Sequence, residues 1–252
     1  GAGALFAVSG RTSGVEAANA RFGPGPSAWE GDLRPIMDDE WNEDWAAHLL
    51  GRAGFGGTLE EVREMATQSP AEAVARLVNY QLVANDSVPE FEESGVFDPT
   101  LDPFPKSRAE AVRIARTTGE SMGVAVKPGG SRPLQPVVNR FFYWLRADLL
   151  EMKRAGQWWG QRMLVTERPL QEKLALFWHG HFATSDTKVR DYRKLVQQLR
   201  LFWRHGNGNF RDLLIGLAQD PAMLVYLDAG ENIKGSPNEN FGREVLELFT
   251  MG

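Results

Sequence analysis

Residues 133–155 read PLQPVVNRFFYWLRADLLEMKRA, and this stretch decides the fold. Its large apolar side chains recur every three or four residues, the spacing that places a wide buried stripe along one face of an α-helix. The stripe consists of Val137, Val138, Phe141, Trp144, Leu145 and Leu149. We therefore expect a helix from about Pro133 to Ala155 at the centre of the molecule.

Shorter helical patterns lie on both sides of this stretch. A helix that contains Trp41 and Leu50 ends in the glycine-rich residues 51–57. The capping box at Thr58-Leu59-Glu60-Glu61 and the Ser69-Pro70 pair then predict helices at 58–67 and 70–80. Further helices are predicted at 107–123, 158–165, 169–180, 187–205, 209–219, 221–227 and 238–250, and no segment alternates with period two. The chain is therefore predicted to be all-α, a single irregular multi-helix domain with long loops.

The amino-terminal residues differ from the rest of the chain. Residues 9–36 are rich in Gly, Pro, Ser and Ala, which is typical of an extended arm. The first eight residues, GAGALFAV, are similar to the end of an apolar signal-peptide core, and a clipped start of the chain is the alternative. We expect residues 1–37 to be a flexible arm or signal-peptide remnant and residues 38–252 to be the helical domain. Export to the periplasm or cell envelope is the matching localisation.

Composition excludes several classes of function. The chain has 252 residues, a formal net charge of −5 and no cysteine. An acidic chain has no global positive field for nucleic acid, and no apolar run approaches the roughly 20 residues that span a bilayer. We therefore predict neither a nucleic-acid partner nor an integral membrane protein. Without cysteine, a metal would have to bind His, Asp, Glu, Asn or backbone oxygen.

Two of the four histidines lie in the segment Phe177-Trp178-His179-Gly180-His181-Phe182. In a continuous helix His179 shares a face with Glu172, seven residues earlier, whereas His181 points about 200° away from His179. Both rings can face one ion only if the helix ends near Gly180. Metal ligation, acid/base chemistry and packing as buried structural histidines all remain open for this segment.

The densest group of carboxylates follows in residues 238–250. On a helix, Asn240, Arg243, Glu244 and Glu247 form one polar stripe, opposite an apolar stripe that includes Phe241 and Phe249. A solvated face with Arg243 and Glu247 as an i,i+4 ion pair is one interpretation. A functional site is the other. No Walker loop, dinucleotide fingerprint, zincin pattern or serine-hydrolase elbow occurs in the chain.

Several phrases of the sequence are similar to those of one bacterial family. They are HLLGRAGFG at 48–56, KLALFWHGHF at 173–182, NFRDLL at 209–214, DPAML at 220–224 and NENFGREVLELFTMG at 238–252. Together they resemble the large family catalogued as domain of unknown function 1800. The resemblance covers most of residues 40–252. It implies an exported protein that continues beyond Gly252, so that the helical domain would be truncated on its carboxyl-terminal side.

The resemblance also draws attention to a set of polar residues within these phrases: His48, His179, His181, Asn238, Glu239, Arg243, Glu244 and Glu247. Our leading hypothesis is an exported or envelope-associated helical protein with a His/Glu polar site between helices. In it His179, His181, Glu244 and Glu247 would bind a divalent metal, zinc, iron or manganese. Glu244 or Glu247 would act as general base and Arg243 would orient an anion in metal-assisted hydrolysis or oxidation.

The alternative hypothesis is a protein without catalytic activity. In that case the chain is a scaffold or a subunit of a larger assembly, and the same His and Glu residues form a buried network that fixes helix register. Protein partners, or the remainder of its own polypeptide, are expected under either hypothesis. Whether the protein is an enzyme therefore stays open at the level of sequence.

Overall fold

The computed structural model describes residues 35–97, 135–235 and 239–251, with residues 109, 113 and 117 as isolated positions. Within these residues the chain forms α-helices and two short 3-10 helices and no β-strand, so the predicted all-α class is confirmed. The α-helices are α1 (Glu43–Ala53), α2 (Leu59–Ala66), α3 (Pro70–Val78), α4 (Gln135–Val165), α5 (Pro169–Phe182), α6 (Asp186–Val189), α7 (Tyr192–His205), α8 (Phe210–Ala218), α9 (Pro221–Tyr226) and α10 (Glu239–Glu247). The 3-10 helices are Tyr80–Leu82 and Ala229–Glu231.

The two helix starts predicted at Thr58 and at Ser69-Pro70 are confirmed. The Thr58 hydroxyl accepts the Glu61 N–H, and the Glu61 carboxylate accepts the Thr58 N–H, which is the reciprocal pattern of a capping box. Ser69 and Glu72 repeat this pattern at the start of α3, where Pro70 occupies the first turn. Of the predicted helix at 107–123 only residues 109, 113 and 117 are described, each as helical, and Asn238 lies outside the described residues.

Helix α4 is longer than the sequence pattern predicts. The expected end at Ala155 and the separate helix at 158–165 are wrong, because one helix of 31 residues runs from Gln135 to Val165. A glycine inside a helix, such as Gly156, is unfavourable by about 1 kcal/mol relative to alanine. Side chains that follow Gly156 pack against later helices. This packing offsets the unfavourable glycines, so the helix continues past them.

The buried face of α4 also differs from the predicted stripe. Trp144 is buried as expected, but Leu149 is 45% exposed and the neighbouring Leu150 is 43% exposed. Two carboxylates, Asp148 and Glu151, are buried instead, with 3% and 0% exposure. The reason is hydrogen bonding to the backbone of other segments, which apolar periodicity cannot register.

Each of these acids receives a backbone N–H. Asp148 Oδ1 accepts the Tyr192 N–H at 2.8 Å, and Glu151 Oε1 accepts the Ser94 N–H at 3.1 Å as well as the Ser94 hydroxyl. The first bond fixes the start of α7 on α4, and the second holds the loop before Phe97 on the same helix. Burial nevertheless raises the pKa of Asp148, the Tyr192 N–H opposing this effect.

The predicted helix at 187–205 is wrong as one element. Arg190 has φ of 48°, a left-handed conformation that ends α6 after Val189. Asp191 then caps α7, since its carboxylate accepts the Arg193 N–H at 3.2 Å. Tyr192, Val196, Leu199 and Phe202 of α7 are all buried, so this helix packs one apolar face into the core.

Apolar side chains form one central core and two smaller clusters. The central core joins α5, α7, α8 and α9, with Phe182, Phe202, Leu213 and Met223 among its fully buried side chains. A cluster formed by α1, α2 and α3 packs beside the start of α5, and a third surrounds Trp144 and Tyr192. Among the described helices, none has the length and apolar character needed to cross a bilayer.

Candidate functional site

Helix α5 carries both histidines of the predicted site, and it continues through Gly180 to Phe182. The helix therefore does not end where both rings would have to turn toward one ion, and the two imidazoles diverge. His179 meets the ring of Trp159 edge to face, with centroids 5.6 Å apart. His181 lies parallel to Phe177, and its Nε2 donates to the Phe249 carbonyl oxygen at 3.1 Å.

The carboxylates of the predicted site lie on α10. The Arg243 guanidinium contacts the Glu244 carboxylate at 3.2 Å and donates to the Asn240 side-chain oxygen at 2.9 Å. The predicted i,i+4 ion pair between Arg243 and Glu247 is therefore wrong, because the guanidinium turns back toward nearer acceptors. Glu247 is exposed, and Glu244 is partly buried.

Within residues 35–97, 135–235 and 239–251, no three His, Asp or Glu side chains are grouped closely enough to hold a metal ion. The metal set of His179, His181, Glu244 and Glu247 stays a prediction from the sequence. So do the catalytic roles of Arg243, Glu244 and Glu247, and the export of the protein.

A different carboxylate occupies the centre of the helical core. Glu172, on α5, is fully buried and lies between α4 and α7. Its Oε1 accepts Arg162 Nε at 3.1 Å, and its Oε2 accepts the indole N–H groups of Trp159 and Trp203, each at 2.9 Å. Three N–H donors therefore compensate the desolvation of this one carboxylate.

The Arg162 guanidinium is enclosed by aromatic rings. Its Cζ lies 4.2 Å from the ring centroid of Trp203 and 5.3 Å from that of Trp158, both within cation–π range. We call Arg162, Glu172 and the three tryptophans, Trp158, Trp159 and Trp203, the tryptophan cage. The buried Arg162–Glu172 ion pair joins α4 to α5, and the Trp203 indole N–H on Glu172 adds α7.

Sequence reasoning missed the cage, although a signal was present. Glu172 lies on the same helical face as Ala175 and Phe182, so a carboxylate interrupts the buried stripe of α5. Arg162 interrupts the stripe of Ala155 and Trp159 in the same way. An acid and a base, each on an otherwise apolar face, predict a buried pair, because a buried charge requires a partner.

The cage forms one wall of a cavity of about 430 Å³ between α4, α5 and α7, which we call the His179 cavity. Trp158 donates its indole N–H to the Pro89 carbonyl oxygen at 2.8 Å, and Trp159 donates its indole N–H to Glu172. Both rings therefore offer the cavity carbon surface. The remaining lining comes from Met152, Ala155, Gly156, His179, Thr184, Ser185, Asp186, Leu195, Val196 and Leu199.

Two polar groups of this lining have no described side-chain hydrogen bond: the exposed carboxylate of Asp186 and the imidazole of His179. His179 is the more enclosed of the two. Burial lowers the pKa of its imidazole, so the ring is neutral at pH 7. The Thr184 hydroxyl is bonded to Gln198, and the Ser185 hydroxyl to Thr187. In contrast, no hydrogen bond joins the ring nitrogens of His179 to another described residue. A neutral imidazole has one donor and one acceptor, and here both are available to a molecule in the cavity.

Comparison with protein families identifies a family that covers this chain. The sequence profile described as "Protein of unknown function (DUF1800)" matches residues 48–252, which is most of the chain. This range contains the tryptophan cage, the His179 cavity and helix α10. Comparison with curated proteins and with solved structures gave no match. The chain therefore belongs to the DUF1800 family of proteins of unknown function.

Proposed function

We propose that this protein binds a small, mostly apolar molecule in the His179 cavity. The observation that carries the proposal is a mainly apolar cavity that contains one partly buried, neutral imidazole with no hydrogen-bond partner among the described residues. Known ligand sites have this character: about 300–1,000 Å³, an apolar and aromatic lining, and a few polar groups that orient the ligand.

The cage supports the proposal because it fixes the cavity wall. Trp159 lines the cavity and is held by Glu172, and Glu172 is held in turn by Arg162 and Trp203. A wall that is already in place before binding reduces the entropy lost when a ligand is ordered. The ligand class follows from the lining: a fused aromatic or alicyclic body with one hydroxyl or carbonyl that reaches His179.

Filling the cavity tests the proposal directly. Nothing lies within 4 Å of the position that a Cβ would take at Gly156 or at Gly160, both inside α4. Only Gly156 is among the lining residues of the cavity. Gly156→Leu should therefore abolish binding, whereas Gly160→Leu should retain it. Both substitutions should favour the helix by about 0.5–1 kcal/mol, so a difference in binding is not a difference in folding.

A matched pair of probes tests the role of the imidazole. Tryptophan fluorescence would be titrated with 2-naphthol and with 2-methylnaphthalene, which differ in the hydroxyl. A net hydrogen bond of about 0.5–1.5 kcal/mol predicts that 2-naphthol binds about 2- to 12-fold more tightly. His179→Phe should remove this preference, and His205→Phe, at the end of α7, should keep it. Equal binding of both probes to the unchanged protein would contradict the proposal.

A scaffold without catalytic activity is the second candidate, and the buried Arg162–Glu172 pair favours it. Buried ionic groups can specify the register of helices even where they add little stability. Under this proposal His179→Ala and Glu244→Ala each lower the melting temperature, and elemental analysis finds no stoichiometric metal. A bound metal that is lost in either variant, with stability retained, would favour the predicted metal site instead.

A further inference from the structure

Residues 88–97 run across α4 and α7 as a segment without helix or strand, and we call them the strap. Its backbone is held by side chains of α4: Trp158 Nε1 donates to the Pro89 carbonyl oxygen at 2.8 Å, Arg154 to that of Glu92 at 2.9 Å and Tyr143 to that of Val96 at 2.9 Å, and Glu151 accepts the Ser94 N–H at 3.1 Å. Phe91 and Phe97 pack on the ring of Tyr192 at the start of α7, with centroid distances of 6.0 and 5.3 Å. Within the described residues, no backbone group of the strap bonds to the backbone of a helix, so side-chain contacts hold the strap in place.

Two buried polar atoms under the strap, Glu151 Oε2 and the Tyr192 hydroxyl, have no hydrogen-bond partner. Arg154 Nε lies 3.8 Å from Glu151 Oε2, which gives this oxygen a charge partner but no hydrogen bond. Burial, together with the Glu93 carboxylate nearby, raises the pKa of Tyr192, although Glu93 is outside hydrogen-bonding geometry. A buried polar group without a partner is unfavourable, because it has lost water and gained nothing in return. Opening the strap would return water to both atoms.

The strap and the His179 cavity have residues in common. Trp158 lines the cavity, and the strap fixes its ring through the bond to the Pro89 carbonyl oxygen and through contact with Phe91, at a centroid distance of 5.4 Å. Ala155 and Val196 also line the cavity, and both belong to the apolar cluster that the strap completes. The strap therefore supports three residues of the cavity wall.

We propose that the strap is a releasable brace that regulates the His179 cavity. The strap opens as a local unit while the helices stay folded, and the cavity binds its ligand only while the strap is closed, because opening frees the Trp158 ring. Ligand binding and opening then oppose each other: a ligand keeps the strap closed, and a partner that draws the strap away lowers the affinity for the ligand. This regulation rests on the proposed function, whereas the opening of the strap does not.

A single cysteine measures the opening. The chain contains no cysteine, so Val88→Cys introduces one thiol into the strap. Val88 is 8% exposed, and the thiol should therefore react with an aromatic disulfide reagent only when the strap opens. The labelling rate should change little at low denaturant, because a local opening exposes little surface. A rate that follows the global unfolding transition would overturn the proposal.

Two further substitutions, each added to Val88→Cys, should move this rate in opposite directions. Tyr192→Phe removes the unpaired hydroxyl and favours the closed strap, so labelling should slow at least about 5-fold. Ser94→Ala removes a hydroxyl that donates to the Glu151 carboxylate, so labelling should become about 10-fold faster. Tyr226→Phe, on α9, is the control and should not change the rate. Faster labelling of Tyr192→Phe would show that the closed strap satisfies this hydroxyl, and would overturn the proposal.

A ligand of the His179 cavity should hold the strap closed. With 2-naphthol at about nine times its Kd, labelling of Val88→Cys should slow about 10-fold, because the open form does not bind the ligand. Gly156→Leu, which fills the cavity, should remove this effect. If 2-naphthol binds and labelling does not slow, the strap does not regulate the cavity, although the proposed function stands. If 2-naphthol does not bind the unchanged protein, the proposed function and its regulation by the strap both fail, and labelling without ligand still decides whether the strap opens.

Discussion

Glu172 is the residue on which the helical core depends most directly. Its carboxylate is fully buried and accepts Arg162 Nε and two indole N–H groups. The guanidinium is also almost fully buried, with 7% of Arg162 exposed. Removing one charge would leave the other in an apolar environment, which is far less favourable than losing both.

We predict that Glu172→Ala lowers the free energy of unfolding by about 3–5 kcal/mol, because it leaves the Arg162 guanidinium buried and unpaired. The double variant Glu172→Ala with Arg162→Met should recover part of this loss. Denaturant unfolding of the single and double variants measures the coupling. The exposed pair Glu64 and Arg76, at 3.5 Å, is the control, and its coupling energy should be less than about 1 kcal/mol.

His179 makes stability depend on pH in a defined direction. Burial lowers its pKa below the usual 6.5, so the folded protein binds this proton less readily than the unfolded chain. The contribution of the neutral imidazole to the free energy of unfolding is fully present above about pH 6.5. It is lost as pH falls through the lowered pKa. The free energy of unfolding of the unchanged protein should therefore fall relative to that of His179→Phe between pH 8 and pH 5. A difference that stays constant across this range would contradict a partly buried, neutral imidazole.

At the scale of the element, the carboxyl-terminal end of α5 shows how a helix stops without glycine. Ala183 follows Phe182 with φ of 49°, in the left-handed region where Cβ is disfavoured. Its N–H still bonds to the His179 carbonyl oxygen. The helix thus ends after both histidines, and this is why they diverge.

Ala183→Gly should raise the free energy of unfolding by about 1 kcal/mol, because glycine adopts this conformation without steric strain. Ala47→Gly, at an exposed position inside α1, is the matched control and should lower it by about the same amount. Chemical denaturation of both variants measures the two effects. If Ala183→Gly and Ala47→Gly lowered the free energy of unfolding equally, the left-handed conformation of Ala183 would not be strained.

The elements that the sequence predicted correctly are those fixed by interactions between residues close together in the chain. The capping box at Thr58 and the cap at Ser69 rest on neighbouring residues, so the sequence predicted both helix starts correctly. The buried face of α4 depends on N–H groups of Ser94 and Tyr192, far away in the chain, so apolar spacing pointed to Leu149 instead. The divergence of His179 and His181 followed from helical geometry alone.

The candidate site was less predictable than the fold for the same reason. The cage and the His179 cavity take their side chains from α4, α5 and α7, and only the packing of these helices brings them together. A sequence pattern displays one helical face at a time. It therefore showed His179 beside Glu172 but not the partners of either, Trp159 and Arg162.

At the scale of the whole molecule, the cluster of α1, α2 and α3 is attached to the central core through few contacts. Gly54 packs so closely on Pro169 that a Cβ there would lie 2.9 Å from the proline Cβ. Arg168 Nε donates to the Val83 carbonyl oxygen at 2.7 Å, and Asn207 Nδ2 donates to the Val78 carbonyl oxygen at 2.9 Å. These polar contacts are fewer and more exposed than the packing inside the central core.

We therefore predict that residues 43–78 open separately from the core. Their slowest amide protons should exchange through an opening of lower free energy than those of α5 and α7, because less apolar surface holds them. Native-state hydrogen exchange in increasing denaturant measures both values. A single common opening energy for α2, α5 and α7 would show instead that the chain unfolds as one unit.

The tryptophan cage also limits which substitutions can accumulate in related proteins. Each of Arg162, Glu172, Trp159 and Trp203 supplies a hydrogen bond or charge that another of them needs. Replacing one of them therefore lowers stability, and a second substitution in the same lineage is needed to recover it. Relatives should therefore keep these positions together or replace them together, with an apolar residue at 172 accompanied by loss of the cation at 162. Lining residues of the His179 cavity that lie outside the cage, such as Leu195 and Met152, can be substituted one at a time, so relatives could change the ligand proposed for this cavity without rebuilding the core.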